Sequence, residues 1–233
     1  MTTIYLIRHG QASFGAESYD KLSATGEQQA TVLGQYFQKI LKEQPYVVAG
    51  GMQRHRQTAD FALAECFPEA IPHINVGWNE FNHQQVFAKY DARFNEPHLL
   101  KQEVAKSESP RAYLAKIFEG AIFRWTDGEY HHEYEESWPH FKQRVEDALQ
   151  NLCTDLAQKQ PRYAVVFTSG GVISVAAGKV LWMIAIPMAL ANMAGSYVGS
   201  HFAIKGGEVF IKKVLIFVLI FMLLANIIKI IVN

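Results

Sequence analysis

Three observations predict an α/β fold. An apolar run, Ile4-Tyr5-Leu6-Ile7, ends directly at Arg8-His9-Gly10-Gln11, and a short run rich in Ile and Tyr reads as a strand. Helical sequence follows, with Ala30, Leu33, Phe37 and Ile40 at helical intervals. Tyr46–Ala49 and, much later, Tyr163–Thr168 are two more apolar runs that each turn into helical sequence.

The first helix has a readable start, because Thr25 and Gln28 stand at capping-box spacing. After the second strand, Gly50-Gly51-Met52-Gln53-Arg54-His55-Arg56-Gln57-Thr58-Ala59 turns into a second helix and places arginine just past a strand end. In open α/β sheets ligands bind beyond the carboxyl ends of strands, so Arg8, His9 and one of Arg54 and Arg56 are candidate site residues. Two residues apart on a helix, those two arginines point to different sides, and only one reaches a pocket.

These residues, taken together, resemble the histidine phosphatase superfamily, the phosphoglycerate mutase-like enzymes, whose signature is Arg-His-Gly after the first strand. Supporting elements are Leu22-Ser23 with Gly26, Gln29, Ala30 and Leu33-Gly34, then Arg54 with Thr58-Ala59, Glu80, Glu136-Ser137 before Phe141 and Arg144-Val145, and Gly170-Gly171-Val172-Ile173. The resemblance covers residues 2 to 180 and implies a three-layer α/β/α sandwich. It stops where that fold should continue with at least one more strand, so the sheet is expected to lack its last strand. Alignment on Thr58-Ala59 selects Arg54 over Arg56.

Phosphoryl transfer asks for positioning and charge neutralisation around three equatorial oxygens, with the nucleophile in line. Arg8 and Arg54 suit the oxygens, since a guanidinium gives fork-like hydrogen bonds. Unprotonated His9 suits the phosphorus, forming a phosphohistidine that water or a second substrate discharges; the resemblance implies these same roles. Glu80 is the candidate proton donor, with Trp78 and Phe81 beside it to desolvate a carboxyl. It matches the family's acidic residue, although Asn82, His83 and Gln84 replace the usual Gly and Trp that follow. The common pattern also has a second histidine before the two glycines, and this chain has Ser169. Ser169 and Gly170 are expected to bind phosphate at a helix N-terminus, with hydroxyl and backbone N–H groups as donors.

The segment 87–136 reads as an insertion that caps the pocket, with Pro97 and Pro110 as breaks between helices. Its basic and acidic residues balance, so substrate identity is not legible there. His131-His132 has no second ligand pair at suitable spacing, and no metal or cofactor is expected.

Basic and acidic residues number 22 each, which argues against nucleic acid as a partner. The two cysteines, Cys66 and Cys153, form no ligand pattern, and no secretory signal opens the sequence, so a cytoplasmic catalytic domain is expected. The neutrality hides a break. Residues 180 to 233 hold four lysines and one glutamate, which leaves 18 basic against 21 acidic residues before them. No charged residue occurs from Val180 through Ile204, and a second apolar run extends from Val209 to Val232. A bilayer-spanning helix needs about twenty mostly apolar residues, so residues 180–233 read as a two-helix membrane hairpin, with Gly195, Ser196, Gly199 and Ser200 suited to close packing. Lysines 205, 212 and 213 between the runs complicate a cytoplasmic placement under the positive-inside rule.

From Leu181 onward the sequence also resembles the C-terminal end of the TauE/SafE-type sulfite exporter permeases. The residues that carry this are Ala191-Asn192-Met193-Ala194-Gly195-Ser196-Tyr197-Val198-Gly199-Ser200, Lys205-Gly206-Gly207 and Phe210-Ile211-Lys212-Lys213-Val214. The template changes near Lys179 to Trp182 with no Gly-, Ser- or Pro-rich linker. Fusion, a deletion joining two genes and misassembly each produce such a join, and a chimeric or truncated chain is the expectation.

Two functions follow. The first is an enzyme, with residues 1–179 catalysing phosphomonoester hydrolysis or phosphoryl transfer through phospho-His9 on a small phosphorylated substrate. The second is a membrane protein fragment carrying a phosphate-binding but non-catalytic domain. If the join is real, mass spectrometry of the native protein finds a peptide spanning Gly178 to Ile186; its absence from abundant protein discards the fusion.

Overall fold

Among the described residues four strands form the sheet: β1 (Thr3–Arg8), β2 (Tyr46–Ala49), β3 (His73–Ile74) and β4 (Tyr163–Thr168). In the computed structural model, which describes residues 1–13 and 20–180, their order is β1-β4-β2-β3 and every pairing is parallel. β4 is buried at all six residues, YAVVFT, because a central parallel strand covered on both faces has no polar side. Register sets the site. Ile7 lies opposite Phe167 and Arg8 opposite Thr168, while Ala49 on the other side also lies opposite Phe167. The carboxyl ends of β1, β2 and β4 therefore emerge at one sheet edge. His9 N donates to Thr168 O at 2.9 Å, and Gly50 N donates to Phe167 O at 3.0 Å.

Alternation along the strands sends side chains to two helical layers. Val47, Ala49, Val165 and Phe167 pack with Phe37 of α1 (Ala24–Ile40) and with Ala59, Ala62 and Leu63 of α2 (Gln53–Cys66). Val48, Ala164 and Val166 join Trp125 of α5 (Pro110–Thr126), Phe141, Val145 and Leu152 of α6 (Trp138–Lys159), and Val172 of α7 (170–180). The expected three layers are thus present among the described residues. Between β3 and α5 lie α3 (His83–Tyr90) and α4 (Pro97–Lys106). Pro97 and Pro110 do not break helices but begin them, the position where a missing N–H costs nothing and a fixed φ helps.

One sequence expectation needs correction, and one strand had no signal in the sequence. The cap of α1 is Ser23, whose side chain accepts from Gly26 N; Thr25 lies inside the helix, so its match to capping-box spacing was coincidental. β3 has two exposed residues, too short to show an alternating pattern. The chain divides into two units, Met1–Lys179 and Val180–Asn233. Beyond Val180 the second unit, with both apolar runs and the exporter-like segment, lies outside the described residues. Among the described residues no helix is long and apolar enough to cross a membrane.

α1 meets the 10–11 loop through glycine. A Cβ on Gly26 would strike Gln11 O, and one on Gly10 would strike Gly26 O. Gly26→Ala is expected to destabilise by about 1–3 kcal/mol, the range for forced overpacking, and to lower turnover by displacing His9. Thermal melts alongside kinetics check both.

Candidate active site

His9 follows β1 and is half-buried. Its Nδ1 lies 2.7 Å from Gly10 O, and Arg54 Nε lies 3.2 Å from its Nε2. A carbonyl only accepts and a guanidinium only donates, so the tautomer is settled: the proton sits on Nδ1 and the lone pair on Nε2. Burial, reinforced by Arg54 and Arg8, holds the His9 pKa down at about 4, against the opposing pull of Gly10 O and Asp20. At neutral pH the ring is an uncharged base with its lone pair beside a guanidinium.

Arg54 is 4 % exposed in the first turn of α2, whereas Arg56 is exposed, as helical geometry requires of positions two apart. Its Nη1 donates to Asp20 Oδ1 at 2.7 Å. Asp20 Oδ2 accepts from Gln53 N at 2.8 Å, so one carboxylate both caps α2 and holds its arginine. Thr58 ties the same turn to the loop: its hydroxyl donates to Arg54 O at 2.7 Å and accepts from Gly10 N at 3.1 Å.

Arg8 is exposed at the end of β1. Its Nε lies 3.9 Å from where a Cβ on Gly170 would stand, which places the guanidinium over the start of α7. Among the described residues no acceptor meets it.

Glu80 comes from the loop after β3. Its Oε2 accepts from Gly171 N at 3.0 Å and its Oε1 from Phe81 N at 3.3 Å. Burial nevertheless wins over those N–H groups and over Arg54 and Arg144, and raises the carboxyl above its usual range. Arg144 of α6 holds this loop. Its Nη1 donates to Val76 O, Gly77 O and Asn79 O at 3.2, 2.9 and 2.9 Å, while Nε and Nη2 grip Glu136 at 2.6 and 2.9 Å. His83, on the first turn of α3, also has its pKa lowered by burial and Arg54.

Ser169 and Gly170 sit at the start of α7, but their donors are arranged differently from the expectation. Ser169 is fully buried, with its Oγ 2.6 Å from His55 Nε2. The Gly171 N–H is taken by Glu80. Buried polar groups find internal partners, and here these two did so before any anion arrives. Gly170 is partly exposed beneath Arg8.

His55 and Asp20 were missed in the sequence. His55 falls on the buried stripe of α2 with Arg54, Thr58, Ala59, Ala62 and Leu63, where a histidine reads equally well as packing. An imidazole does therefore stand beside position 169, but α2 supplies it. Asp20 carried no pattern, since its role is set by folding of the loop. His131 and His132 lie in a 3₁₀ segment after α5, and no cluster with metal-holding geometry occurs among the described residues.

Residues 4–111 match the Histidine phosphatase superfamily (branch 1). The fold agrees. A phosphoglycerate mutase from Bacillus anthracis superposes with a TM-score of 0.51 at 16 % identity, over 78 % of this chain and 79 % of that one. An alpha-ribazole phosphatase from Shigella flexneri gives 0.50 at 18 % identity, over 76 % and 79 %. No curated protein matches the chain. The family match thus covers residues 4–111, and the fold over most of the chain is that of these mutase and phosphatase structures.

Arg144→Ala is expected to lower stability by about 1.5–3 kcal/mol, the range for hydrogen bonds to a charged group. It should also reduce turnover more than a surface arginine change, because the Glu80 loop loses three tethers. Denaturant melts compared with Arg56→Ala check this.

Proposed function

We propose that residues 1–179 catalyse phosphomonoester hydrolysis or phosphoryl transfer on a small phosphorylated substrate, with His9 Nε2 as the nucleophile. The observation that carries this reading is the lone pair of a neutral, tautomer-fixed His9 directed beside the Arg54 guanidinium. Arg54 and Arg8 bind the phosphoryl oxygens. On binding, the substrate anion competes with Asp20 for Arg54, so the guanidinium stays oriented in the empty site. Gly170 lies under that anion, and Ser169 supports it from beneath. Glu80, its pKa raised by burial, gives its proton to the leaving oxygen as His9 forms a phosphorus–nitrogen bond. The resulting carboxylate then takes a proton from water, which discharges the phosphohistidine.

For residues 180–233 the proposal rests on sequence: two apolar runs anchor the chain in a membrane. Alkaline carbonate extraction of the full chain tests it, and release into the supernatant would overturn it.

Acid-quench labelling with a phosphorus-labelled ester is expected to give an acid-labile, base-stable phosphoryl group that disappears in His9→Ala. No label from any phosphoester would leave the phosphate-binding, non-catalytic reading in its place. The pH dependence follows from the two groups. His9 must be unprotonated, so kcat/KM rises through about pH 4. Glu80 must be protonated, so kcat/KM falls as pH passes its raised pKa. A bell displaced to the acid side is expected, and Glu80→Gln should lose the alkaline limb with kcat lowered about 10²–10⁴-fold. Stopped assays across pH check it.

A further inference from the structure

The restraints on His9 described so far hold its edges. Gly10 O takes Nδ1–H and Arg54 Nε meets Nε2, but neither touches the face of the ring. Beside the ring stands His55, its centroid 5.7 Å away and its plane tilted by 39°, within the range of a packed aromatic pair. His55 is completely buried. Its Nε2 is tied to Ser169 Oγ, while its Nδ1 meets no partner among the described residues. A Cβ on Gly50 would strike that Nδ1, so the strand end of β2 is cut back to admit the imidazole. A leucine or phenylalanine would fill such a space without leaving a polar atom unpaired, and a buried polar group without a partner is costly. The residue type therefore serves the hydrogen bond to Ser169.

Resting on the phosphohistidine reading, we propose that His55 is a positioning residue. Anchored to Ser169, its ring is the wall that keeps His9 desolvated and fixed with Nε2 toward the phosphoryl group. Ser169 thus acts on the nucleophile through His55, which explains why its hydroxyl is turned away from solvent.

The charged groups around the pair are Arg8 from β1, Arg54 from α2 and Asp20 ahead of α1; Glu80 and His83, from the segment leading into α3, feel the same Arg54. The two arginines disfavour a protonated His9 and Asp20 favours it. Substitutions at His55 leave all of these charges in place, so a change in the titration of His9 reads the loss of the His55 ring itself.

The test uses the full chain, histidine-selective ¹H–¹⁵N NMR titration and p-nitrophenyl phosphate turnover. In His55→Ala, water reaches His9 and its imidazole is expected to titrate about one pH unit higher than in the parent. With it, kcat falls about 10²-fold while KM changes less than about threefold. Gln reaches Ser169 as the ring's Nε2 does, so His55→Gln is expected to recover about tenfold of that loss. Ser169→Ala should move His9 in the same direction as His55→Ala. An unchanged His9 titration in a folded His55→Ala overturns the proposal, as does His55→Gln performing no better than Ala. If His55→Ala does not fold, Ser169→Ala against His55→Gln decides by the same readouts. Should the parent fail to turn over or to label, the phosphatase reading falls, and the titration still decides whether His55 controls His9.

Discussion

The contact between Arg54 Nε and His9 Nε2 is the one on which the rest of the site depends. It joins α2 to the end of β1, and it works only because Gly10 O fixes the ring's other nitrogen as a donor. A guanidinium beside a bare lone pair is favourable only while the imidazole stays uncharged, and burial ensures that. Placing a permanent cation in a dry position has a cost, which Asp20 offsets with one oxygen while its other oxygen caps the helix. The arginine is consequently oriented before any substrate arrives.

The same logic of opposing environments separates the two titrating groups. His9 and Glu80 are both desolvated, and desolvation favours the neutral form of each: base for the imidazole, acid for the carboxyl. One physical cause thereby favours a neutral base and a neutral acid, the pair that the proposed reaction uses as nucleophile and proton donor. The loop that brings Glu80 is held by Arg144, a residue whose five hydrogen bonds are structural clamps rather than anion contacts. Strand register completes the arrangement, because β1, β2 and β4 end together.

Much of this was legible in sequence. The strands Tyr46–Ala49 and Tyr163–Thr168 were read at their observed limits, since fully buried parallel strands announce themselves as apolar runs. Arg8, His9 and Arg54 were candidates because charged residues at strand ends are conspicuous, Glu80 because Trp78 and Phe81 flank it, and alignment on Thr58-Ala59 chose Arg54 over Arg56. The Ser23 cap, Asp20 and His55 were not found for a different reason. Ser23 competed with an equally good pattern two residues on, Asp20 acquires meaning only when a loop folds over α2, and a histidine in a buried stripe looks like packing. The donors at the start of α7 were misjudged because a pattern gives the residues but not which partner claims them. Glu80 and His55 claim Gly171 N–H and the Ser169 hydroxyl, leaving the exposed Arg8 above Gly170 as the open donor at that turn.

Gly50 has a consequence for how this site can change over time. Its missing side chain is what makes room for His55, and Ser169 is what gives His55 a reason to be polar. Positions 50, 55 and 169 are therefore a single heritable unit spread over 120 residues of chain. A larger residue at 50 excludes the imidazole, and an apolar one at 169 leaves its Nε2 without this partner. A change at one of the three therefore alters the fit of its neighbour, so this part of the pocket wall is maintained by residues far apart in the chain.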